Sequence, residues 1–249
     1  MQYSQGGAQP EAVDGLQSEK QIPPLRYGIE MPGGDQRISN VLKLPRLYAI
    51  ADAGMLARRG LAAVEFARAL RAAGVTLVQY RDKAGSPQDM LSAAAVVREA
   101  FAGIDCRLIL NDRADLAVLA GWDGVHVGQD DLSPEDARRV VGAGRWVGIS
   151  THKDEQVQQA ELSSADYVAV GPVFATGTKL DAEPVIGLEG VRRARALTAK
   201  PIVAIGGITR ENARSVVEAG ADSVAVIGGL LGVGESVEKV AGDFLDILR

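Results

Sequence analysis

The sequence contains a single cysteine, Cys106, in 249 residues, so it cannot form an internal disulfide or supply a cysteine-rich zinc site. Cys106 precedes the apolar segment RLIL, where a buried and unreactive thiol is the ordinary outcome. An excess of positive charge is also absent, since 27 lysines and arginines stand against 32 aspartates and glutamates. Because a broad nucleic-acid interface needs a basic face, this balance argues against a nucleic-acid partner.

Long apolar segments are missing as well. None approaches the roughly 20 residues that a membrane-spanning helix needs. The first twenty residues, MQYSQGGAQPEAVDGLQSEK, lack the basic start and apolar stretch of a secretory signal, and their acidic residues disfavour a transit peptide. We therefore expect a cytoplasmic protein without a membrane partner. The sequence does not fix the oligomeric state, and a homo-oligomer is compatible with it.

The first 44 residues differ in composition from the rest of the chain. They are rich in glycine, glutamine, proline and acidic residues, lack sustained periodicity, and contain the breakers Pro23-Pro24 and Gly33-Gly34. The composition predicts an N-terminal extension, either a flexible tail or an arm ordered against the barrel domain or a partner. The predicted boundaries are residues 1–44 for the extension and 45–249 for the folded domain.

From RLYAI onward, short apolar segments alternate with alanine-rich amphipathic ones. Segments that are apolar on both faces are typical of buried parallel strands. Serine followed by proline at Ser86-Pro87 and at Ser133-Pro134 predicts two helix starts. Glycines follow other helical patterns at Gly74, Gly142 and Gly220. The apolar segments are LYAI, TLVQY, RLILN, GVHVG, RWVGIS, YVAVG, PIVAIGG and SVAVIGG.

Eight strand–helix units in about 205 residues predict a (β/α)₈ TIM barrel, an α/β fold, as a single domain. The competing architecture is an open, doubly wound sheet. It is less favoured because no GxGxxG motif follows the first strand and because eight equal units are many for such a sheet.

Polar residues recur where the predicted strands end. Ligands of such barrels bind at the carboxyl ends of the strands, so these residues are candidates for one site. Each also has a structural explanation. Arg81 and Lys83 could be solvated, Asp112 could cap the next helix, and Asp131 could lie in a turn. An isolated His126 is more often a hydrogen-bonded structural residue than a ligand. The strand-end candidates are Gln79, Arg81, Lys83, Asn111, Asp112, Gln129, Asp131, Ser150, Thr176, Gly177, Thr178, Lys179, Gly206, Gly207, Ile227 and Gly228.

Taken together, the strand-end candidates are more informative than any one of them alone. Two aspartates at adjacent strand ends, Asp112 and Asp131, can share Mg²⁺, which is usually held by one or two carboxylates and by substrate phosphates. Three cations, Arg81, Lys83 and Lys179, would balance several negative charges at the same mouth. Glycine-containing turns after the seventh and eighth strands let backbone N–H groups approach a phosphate. The pattern predicts a metal-bound polyphosphate on one side of the mouth and a phosphate monoester on the other.

At these residues the sequence resembles the thiamine-phosphate synthase (thiamine-phosphate pyrophosphorylase) family. The resemblance runs in family order from about Leu47 to the C-terminus. It implies a transferase that joins 4-amino-5-hydroxymethyl-2-methylpyrimidine diphosphate to a thiazole phosphate, releasing pyrophosphate. The matching segments are VQYRDK, LILNDRADLA, GVHVGQDDL, GIS, GPVFATGTK, GLEG, VAIGGIT and ADSVAVI.

The resemblance also implies roles for individual residues. Asp112 and Asp131 would bind Mg²⁺, and Arg81, Ser150 and Lys179 would be catalytic. The family commonly has VIS where this chain has VIGG, so Gly228 lacks a hydroxyl but keeps its backbone N–H. The pyrimidine diphosphate would be held by Gln79, Tyr80, Arg81, Asp82, Lys83, Asn111, Ser150 and Lys179, and the thiazole phosphate by Thr176, Gly177, Thr178, Gly207, Ile227 and Gly228.

The implied chemistry needs no strong base, because the thiazole nitrogen already has a lone pair. The expected mechanism is a dissociative substitution in which charge on the leaving pyrophosphate is stabilised electrostatically. Three other functions remain open from the sequence. They are a related thiazole tautomerase, a non-catalytic sensor of thiamine-pathway phosphates, and an unrelated sugar-phosphate barrel enzyme. The last explains the glycines but not the paired aspartates.

Overall fold

Eight parallel strands close into a barrel in chain order, each pairing with the next and the eighth with the first. The computed structural model describes residue 2 and residues 42–176 and 184–249. The closed ring confirms the predicted TIM barrel and excludes an open sheet. The strands are β1 (Leu47–Asp52), β2 (Leu77–Arg81), β3 (Arg107–Asn111), β4 (Gly124–Val127), β5 (Trp146–Thr151), β6 (Tyr167–Val170), β7 (Ile202–Ile205) and β8 (Ser223–Val226).

Helices follow the strands, and every apolar segment identified in the sequence overlaps one strand. Two helices follow β1, and a short 3₁₀ turn, Gly228–Leu230, follows β8. The helices in the described residues are α1 (Ala53–Arg58), α2 (Ala63–Ala73), α3 (Pro87–Ala100), α4 (Ala114–Leu119), α5 (Pro134–Val141), α6 (Asp154–Leu162), α7 (Gly187–Leu197), α8 (Ala213–Glu218) and α9 (Val237–Ile247).

The predicted helix starts are confirmed. Helix α3 begins at Pro87, and the Ser86 hydroxyl accepts a hydrogen bond from the Asp89 amide at 3.2 Å. Helix α5 begins at Pro134 with the Ser133 hydroxyl in the same role. Each serine satisfies one backbone N–H that has no partner inside the helix. The chain therefore turns sharply from strand into helix at these two places.

The apolar residues form two cores separated by the wall of strands. A large core lies between strands and helices, whereas a small one fills the barrel interior and includes Tyr48, Leu77, Ile109, Tyr167 and Val203. Side chains alternate along a strand, so residues an even number of positions from these also point inward. This parity decides which strand-end residues can reach the mouth.

The predicted extension, residues 1–44, lies outside the described residues except for residue 2 and residues 42–44, and its boundary with the barrel stays a prediction. In the part of the chain that the structure describes, no helix has both the length and the hydropathy that crossing a bilayer would require.

Candidate active site at the barrel mouth

Arg81 at the end of β2 is held by Asp52 at the end of β1. The two residues are register partners, and the guanidinium donates a hydrogen bond to one oxygen of the Asp52 carboxylate. The other oxygen accepts a hydrogen bond from the Met55 amide at 2.9 Å, which caps α1. The Asp52 side chain is 8% exposed. Arg81 is therefore an anchored cation rather than a solvated strand end.

Asp52 was not among the predicted residues, although its position in β1 carries a signal. Tyr48, Ile50 and Asp52 share the inner face of β1, so an acidic residue at the last position of that face points into the mouth. The segment was identified only by its apolar residues, LYAI.

Lys83 and the two predicted metal ligands meet at the ends of β2, β3 and β4. The Lys83 ammonium lies 2.5 Å from Oδ2 of Asp112. Burial raises the pKa of the Asp112 carboxyl, as does its contact with Asp131, whereas the ammonium of Lys83 opposes the shift. A carboxylate pair held this closely repels itself unless a proton or a cation lies between the two groups.

The structural explanations offered for the two aspartates, a helix cap for Asp112 and a turn for Asp131, have different outcomes. Helix α4 follows Arg113, no side chain caps it, and Asp112 has a left-handed backbone with φ of +62°. Asp112 is therefore not a helix cap, and that interpretation is wrong. Asp131 does lie in a turn, because its Oδ2 accepts a hydrogen bond from the Gly128 amide at 2.8 Å. That bond fixes the carboxylate beside Asp112. We call Asp52, Arg81, Lys83, Asp112 and Asp131 the rim.

Asn111 shares the inner face of β3 with Ile109, directly before Asp112. Its side-chain Nδ2 is buried, and within the described residues it has no hydrogen-bond partner. A buried amide without a partner costs free energy, so such a group at a mouth is typical of a site that a ligand completes. The structure thus brings the predicted Asn111 next to the rim.

Beneath the rim, hydrogen bonds cross the barrel interior from β2 to β5. The Gln79 amide donates to the Tyr48 hydroxyl at 2.9 Å, and the Tyr48 hydroxyl lies 3.0 Å from that of Tyr167. The Tyr167 hydroxyl lies 3.1 Å from Nδ1 of His126, whose Nε2 lies 2.9 Å from the Ser150 hydroxyl. We call these five residues the interior network. His126 is hydrogen-bonded as expected, whereas Tyr48 and Tyr167 were missed.

Tyr80 and Asp82 contact each other at the end of β2. Tyr80 packs in the core between strands and helices, with its hydroxyl donating to Asp82 at 3.2 Å. The Asp82 carboxylate also accepts hydrogen bonds from the amides of Ala84 and Gly85. Burial raises the pKa of the Tyr80 hydroxyl, helped by the Asp82 charge. The two side chains shape the loop after β2, and their assignment as substrate ligands stays a prediction.

The opposite side of the mouth is built on close backbone approaches. Gly207 has φ of +63°, and a Cβ there would lie 2.5 Å from the Ala175 carbonyl. The Phe174 amide donates to the Gly206 carbonyl at 3.0 Å, so the loop leading to Thr176 packs against the end of β7. Gly228 opens the 3₁₀ turn directly after Ile227. Of the remaining predicted ligands, Gly177, Thr178 and Lys179 lie outside the described residues.

The chain is similar to proteins of one family over almost the whole barrel. Residues 47–230 match the family profile described as thiamine monophosphate synthase. A thiamine-phosphate synthase from Koribacter versatilis (strain Ellin345) is 55% identical over 210 residues, which cover 84% of this chain and 98% of that protein. Another from Chloroflexus aurantiacus is 45% identical over 182 residues, covering 73% of this chain and 83% of that protein.

A solved structure gives the same result. The thiamine phosphate pyrophosphorylase from Pyrococcus furiosus superimposes with a TM-score of 0.72 at 32% sequence identity, covering 82% of this chain and 95% of that one. Similarity of fold and of sequence therefore extends over the same region, from the first strand of the barrel to the last.

Proposed function

This chain belongs to the thiamine monophosphate synthase family and acts as a thiamine-phosphate synthase, a transferase, and we propose that the residues gathered at the mouth of its barrel carry out that reaction. The substrates would be 4-amino-5-hydroxymethyl-2-methylpyrimidine diphosphate and a thiazole phosphate. The products would be thiamine phosphate and pyrophosphate. The proposed setting is the cytoplasm, as the sequence predicts.

The observation that carries the assignment is the grouping of Asp112, Asp131 and Lys83 beside Arg81. On the described rim three carboxylates stand against two cations, so the rim alone is a poor site for a diphosphate. A divalent cation on the aspartate pair would reverse that balance. The donor set fits Mg²⁺, which prefers carboxylate oxygens and completes its shell with phosphate oxygens and water.

The described residues contain no group of three or more potential ligands among histidine, cysteine, aspartate and glutamate. A pair of carboxylates suits a metal that arrives with a phosphorylated substrate, whereas a resident structural metal needs more protein ligands. We assign Asp112 and Asp131 as the residues that would hold Mg²⁺, which when bound would supply positive charge to the diphosphate oxygens.

The diphosphate would lie between Arg81, Lys83 and the amide of Asn111. Arg81 is already oriented by Asp52, so little side-chain freedom is lost when the substrate binds. Lys83 is 52% exposed and paired with Asp112, and it would exchange that carboxylate for a phosphate oxygen. Lys179 stays a predicted ligand of the same group.

The pyrimidine ring would lie below the diphosphate, towards Gln79 and Ser150. Ser150 is fixed twice, because its hydroxyl contacts His126 and its carbonyl accepts a hydrogen bond from Gln129 at 2.6 Å. The thiazole phosphate would occupy the opposite side, on the backbone of Gly207, Ile227 and Gly228. Thr176, Gly177 and Thr178 would contribute from the loop after β6.

Bond breaking would precede bond making. The bond between the pyrimidine methylene carbon and the diphosphate oxygen breaks with its electron pair leaving on pyrophosphate, and the aminopyrimidine delocalises the positive charge. The thiazole nitrogen then gives its lone pair to the same carbon. Arg81, Lys83 and Lys179 stabilise the departing charge, while the walls of the mouth hold the two substrates in line.

An omission assay tests this function. Purified protein would receive the pyrimidine diphosphate, the thiazole phosphate and Mg²⁺, with each left out in turn, while pyrophosphate and thiamine phosphate are measured. We expect both products in equal amounts, and only when all three are present. Folded protein that releases no pyrophosphate would overturn the proposal, and isomerisation of a thiazole phosphate would then indicate the tautomerase.

A further inference from the structure

The interior network joins two walls of the mouth that are distant in the chain. Gln79 on β2 and Ser150 on β5 are its ends, and Tyr48, Tyr167 and His126 connect them through contacts of 2.9–3.1 Å. Tyr48 and Tyr167 are each 1% exposed, and Gln79 is 3% exposed. A buried polar path of this length is costly unless each of its members is satisfied.

The backbone makes room for the network at one position. Gly148 on β5 is the register partner of both His126 on β4 and Tyr167 on β6. A Cβ at Gly148 would lie 2.1 Å from the Tyr167 ring and 2.5 Å from Nδ1 of His126. The two rings stack across this gap, with centroids 5.6 Å apart and planes at 26°. The strand thus omits a side chain where the network passes.

The two tyrosines keep their protons. Burial raises the pKa of the Tyr48 hydroxyl and that of the Tyr167 hydroxyl. Each hydroxyl therefore has one proton to donate and lone pairs that accept. The direction of donation at one member then constrains the direction at the next.

The network can be traced in one direction, starting from the Gln79 amide as the donor. The Gln79 amide donates to Tyr48. A chain that continues in this direction has the Tyr48 hydroxyl donating to Tyr167 and the Tyr167 hydroxyl donating to Nδ1 of His126, across contacts of 3.0 and 3.1 Å. The imidazole then donates from Nε2 to the Ser150 hydroxyl. As a result, Gln79 presents its carbonyl oxygen as an acceptor, and Ser150 presents its O–H as a donor.

We infer that Tyr48, Tyr167 and His126 are positioning residues that couple the amide orientation of Gln79 to the hydroxyl orientation of Ser150. The coupled pair offers an acceptor on one wall and a donor on the other. A ring with an amino group beside an unprotonated ring nitrogen matches this pattern, whereas a ring with a carbonyl beside a ring N–H has the reverse pattern. The inference rests on the proposed function and assigns substrate selection to residues beneath the binding groups.

Two hydroxyl deletions test the coupling. Tyr48→Phe and Tyr167→Phe each leave a member of the network without its partner, which we expect to raise KM for the pyrimidine diphosphate about tenfold. KM for the thiazole phosphate should stay within about twofold, since that site is built on β7 and β8. Either deletion interrupts the same path. KM of the double variant for the pyrimidine diphosphate should therefore be at most about twice that of the more impaired single variant.

Selectivity provides the readout that a purely structural role would not change. The wild-type enzyme and each variant would be assayed with the pyrimidine diphosphate and with its 4-oxo analogue. We expect the preference for the amino substrate, measured as a ratio of kcat/KM, to fall about tenfold in both variants, because Gln79 can then turn its amide freely. An unchanged ratio in both variants would overturn the inference.

Thr151→Val is the matched control. The Thr151 hydroxyl is also buried on β5, but it donates to the Ala169 carbonyl at 3.0 Å and lies outside the interior network. This variant should keep both KM values and the selectivity. Equal changes in Thr151→Val and the tyrosine variants would contradict a specific coupling, as would single effects that multiply in the double variant. If Tyr167→Phe does not fold, Tyr48→Phe alone decides the selectivity result.

The same assays separate this inference from the function on which it rests. Wild-type protein that makes no thiamine phosphate refutes the proposed function. Wild-type protein that makes it, together with tyrosine variants of unchanged selectivity, refutes only the coupling.

Discussion

The rim and the interior network are neighbouring layers of one mouth, and they are polar in different ways. The rim is made of charges in pairs, with Arg81 against Asp52 and Lys83 against Asp112. The interior network is made of hydroxyl, amide and imidazole groups joined in one line beneath it. The rim is partly exposed and its Lys83 is half-exposed, whereas both tyrosines of the network are buried.

This difference matches two separate demands of the reaction. A leaving diphosphate needs charge that can be redistributed, and paired ions at a wet rim can exchange partners when it arrives. A neutral ring needs fixed donors and acceptors, which buried hydrogen bonds supply and which salt does not screen. The rim stabilises the charge of the diphosphate and the interior network, at greater depth, selects the ring, so the two layers should respond to different perturbations.

The largest effect is expected at the rim. Asp112→Asn should lower kcat about a thousandfold, because one of two carboxylates for the divalent cation is lost. Asparagine is the suitable replacement, since it tolerates the left-handed backbone at Asp112. Steady-state kinetics over a magnesium titration would measure the loss, and wild-type kcat in this variant would refute the metal assignment.

Asp123→Asn is the control for that variant. Asp123 precedes β4 at the opposite end of the barrel, where its carboxylate accepts a hydrogen bond from the Leu108 amide at 2.9 Å. We expect the kcat of Asp123→Asn to stay within about twofold of wild type, because the substitution alters a hydrogen bond distant from the rim and leaves the rim residues unchanged.

The next largest effect is a loss of stability when the space beside the interior network is filled. Gly148→Ala should lower the free energy of unfolding by about 2–3 kcal/mol, because the new methyl group overlaps Tyr167 and His126. Urea unfolding would measure the change. Gly144→Ala has no atom within 4 Å of its new methyl group and should be close to neutral. Equal stability of the two variants would contradict the packing described for β5.

Alkaline pH should lower the free energy of unfolding through the interior network, by a smaller amount than Gly148→Ala. The folded-state pKa values of Tyr48 and Tyr167 are raised, so their contribution is complete below pH 10 and declines as the pH rises above it. Each tyrosine should remove up to about 1.4 kcal/mol of unfolding free energy per pH unit in that range. The double Tyr→Phe variant should show a shallower decline than Thr151→Val. Identical slopes would show that these hydroxyls are not buried as described.

The smallest effect is expected for the exposed cation of the rim. Lys83→Gln should raise KM for the pyrimidine diphosphate about fivefold at low ionic strength, and the difference should narrow with added salt because exposed charges are screened. Lys239→Gln, which loses an exposed ion pair on α9, should leave KM unchanged at every salt concentration. A salt-independent difference for Lys83→Gln would place this ammonium in a buried contact.

The strands and helix starts were predictable because their signals are local. Eight short apolar segments, each followed by an amphipathic segment, predicted eight strands. Ser86 and Ser133 predicted two helix starts. Parity along β2 puts Gln79 and Arg81 on the inner face with Leu77. By the same parity Tyr80 points outward, and it was included among the ligands only through the family resemblance.

The interior network was not predictable in the same way. Its contacts depend on the strand register that places Gly148 between His126 and Tyr167. They also depend on a contact across the barrel between Tyr48 and Tyr167, which are 119 residues apart in the chain. Nothing near Tyr48 or Tyr167 in the chain indicates that their hydroxyls would meet. Asp52 was missed for a simpler reason, since its strand was identified only by apolar residues. Its pairing with Arg81 follows from the register of β1 with β2.

The most direct test of this division measures kcat and both KM values side by side in Asp112→Asn and Tyr167→Phe. We predict that Asp112→Asn mainly lowers kcat and that Tyr167→Phe mainly raises KM for the pyrimidine diphosphate, with KM for the thiazole phosphate nearly constant in both. The same pattern of changes in the two variants would contradict the account, because the rim and the interior network would then act as one unit.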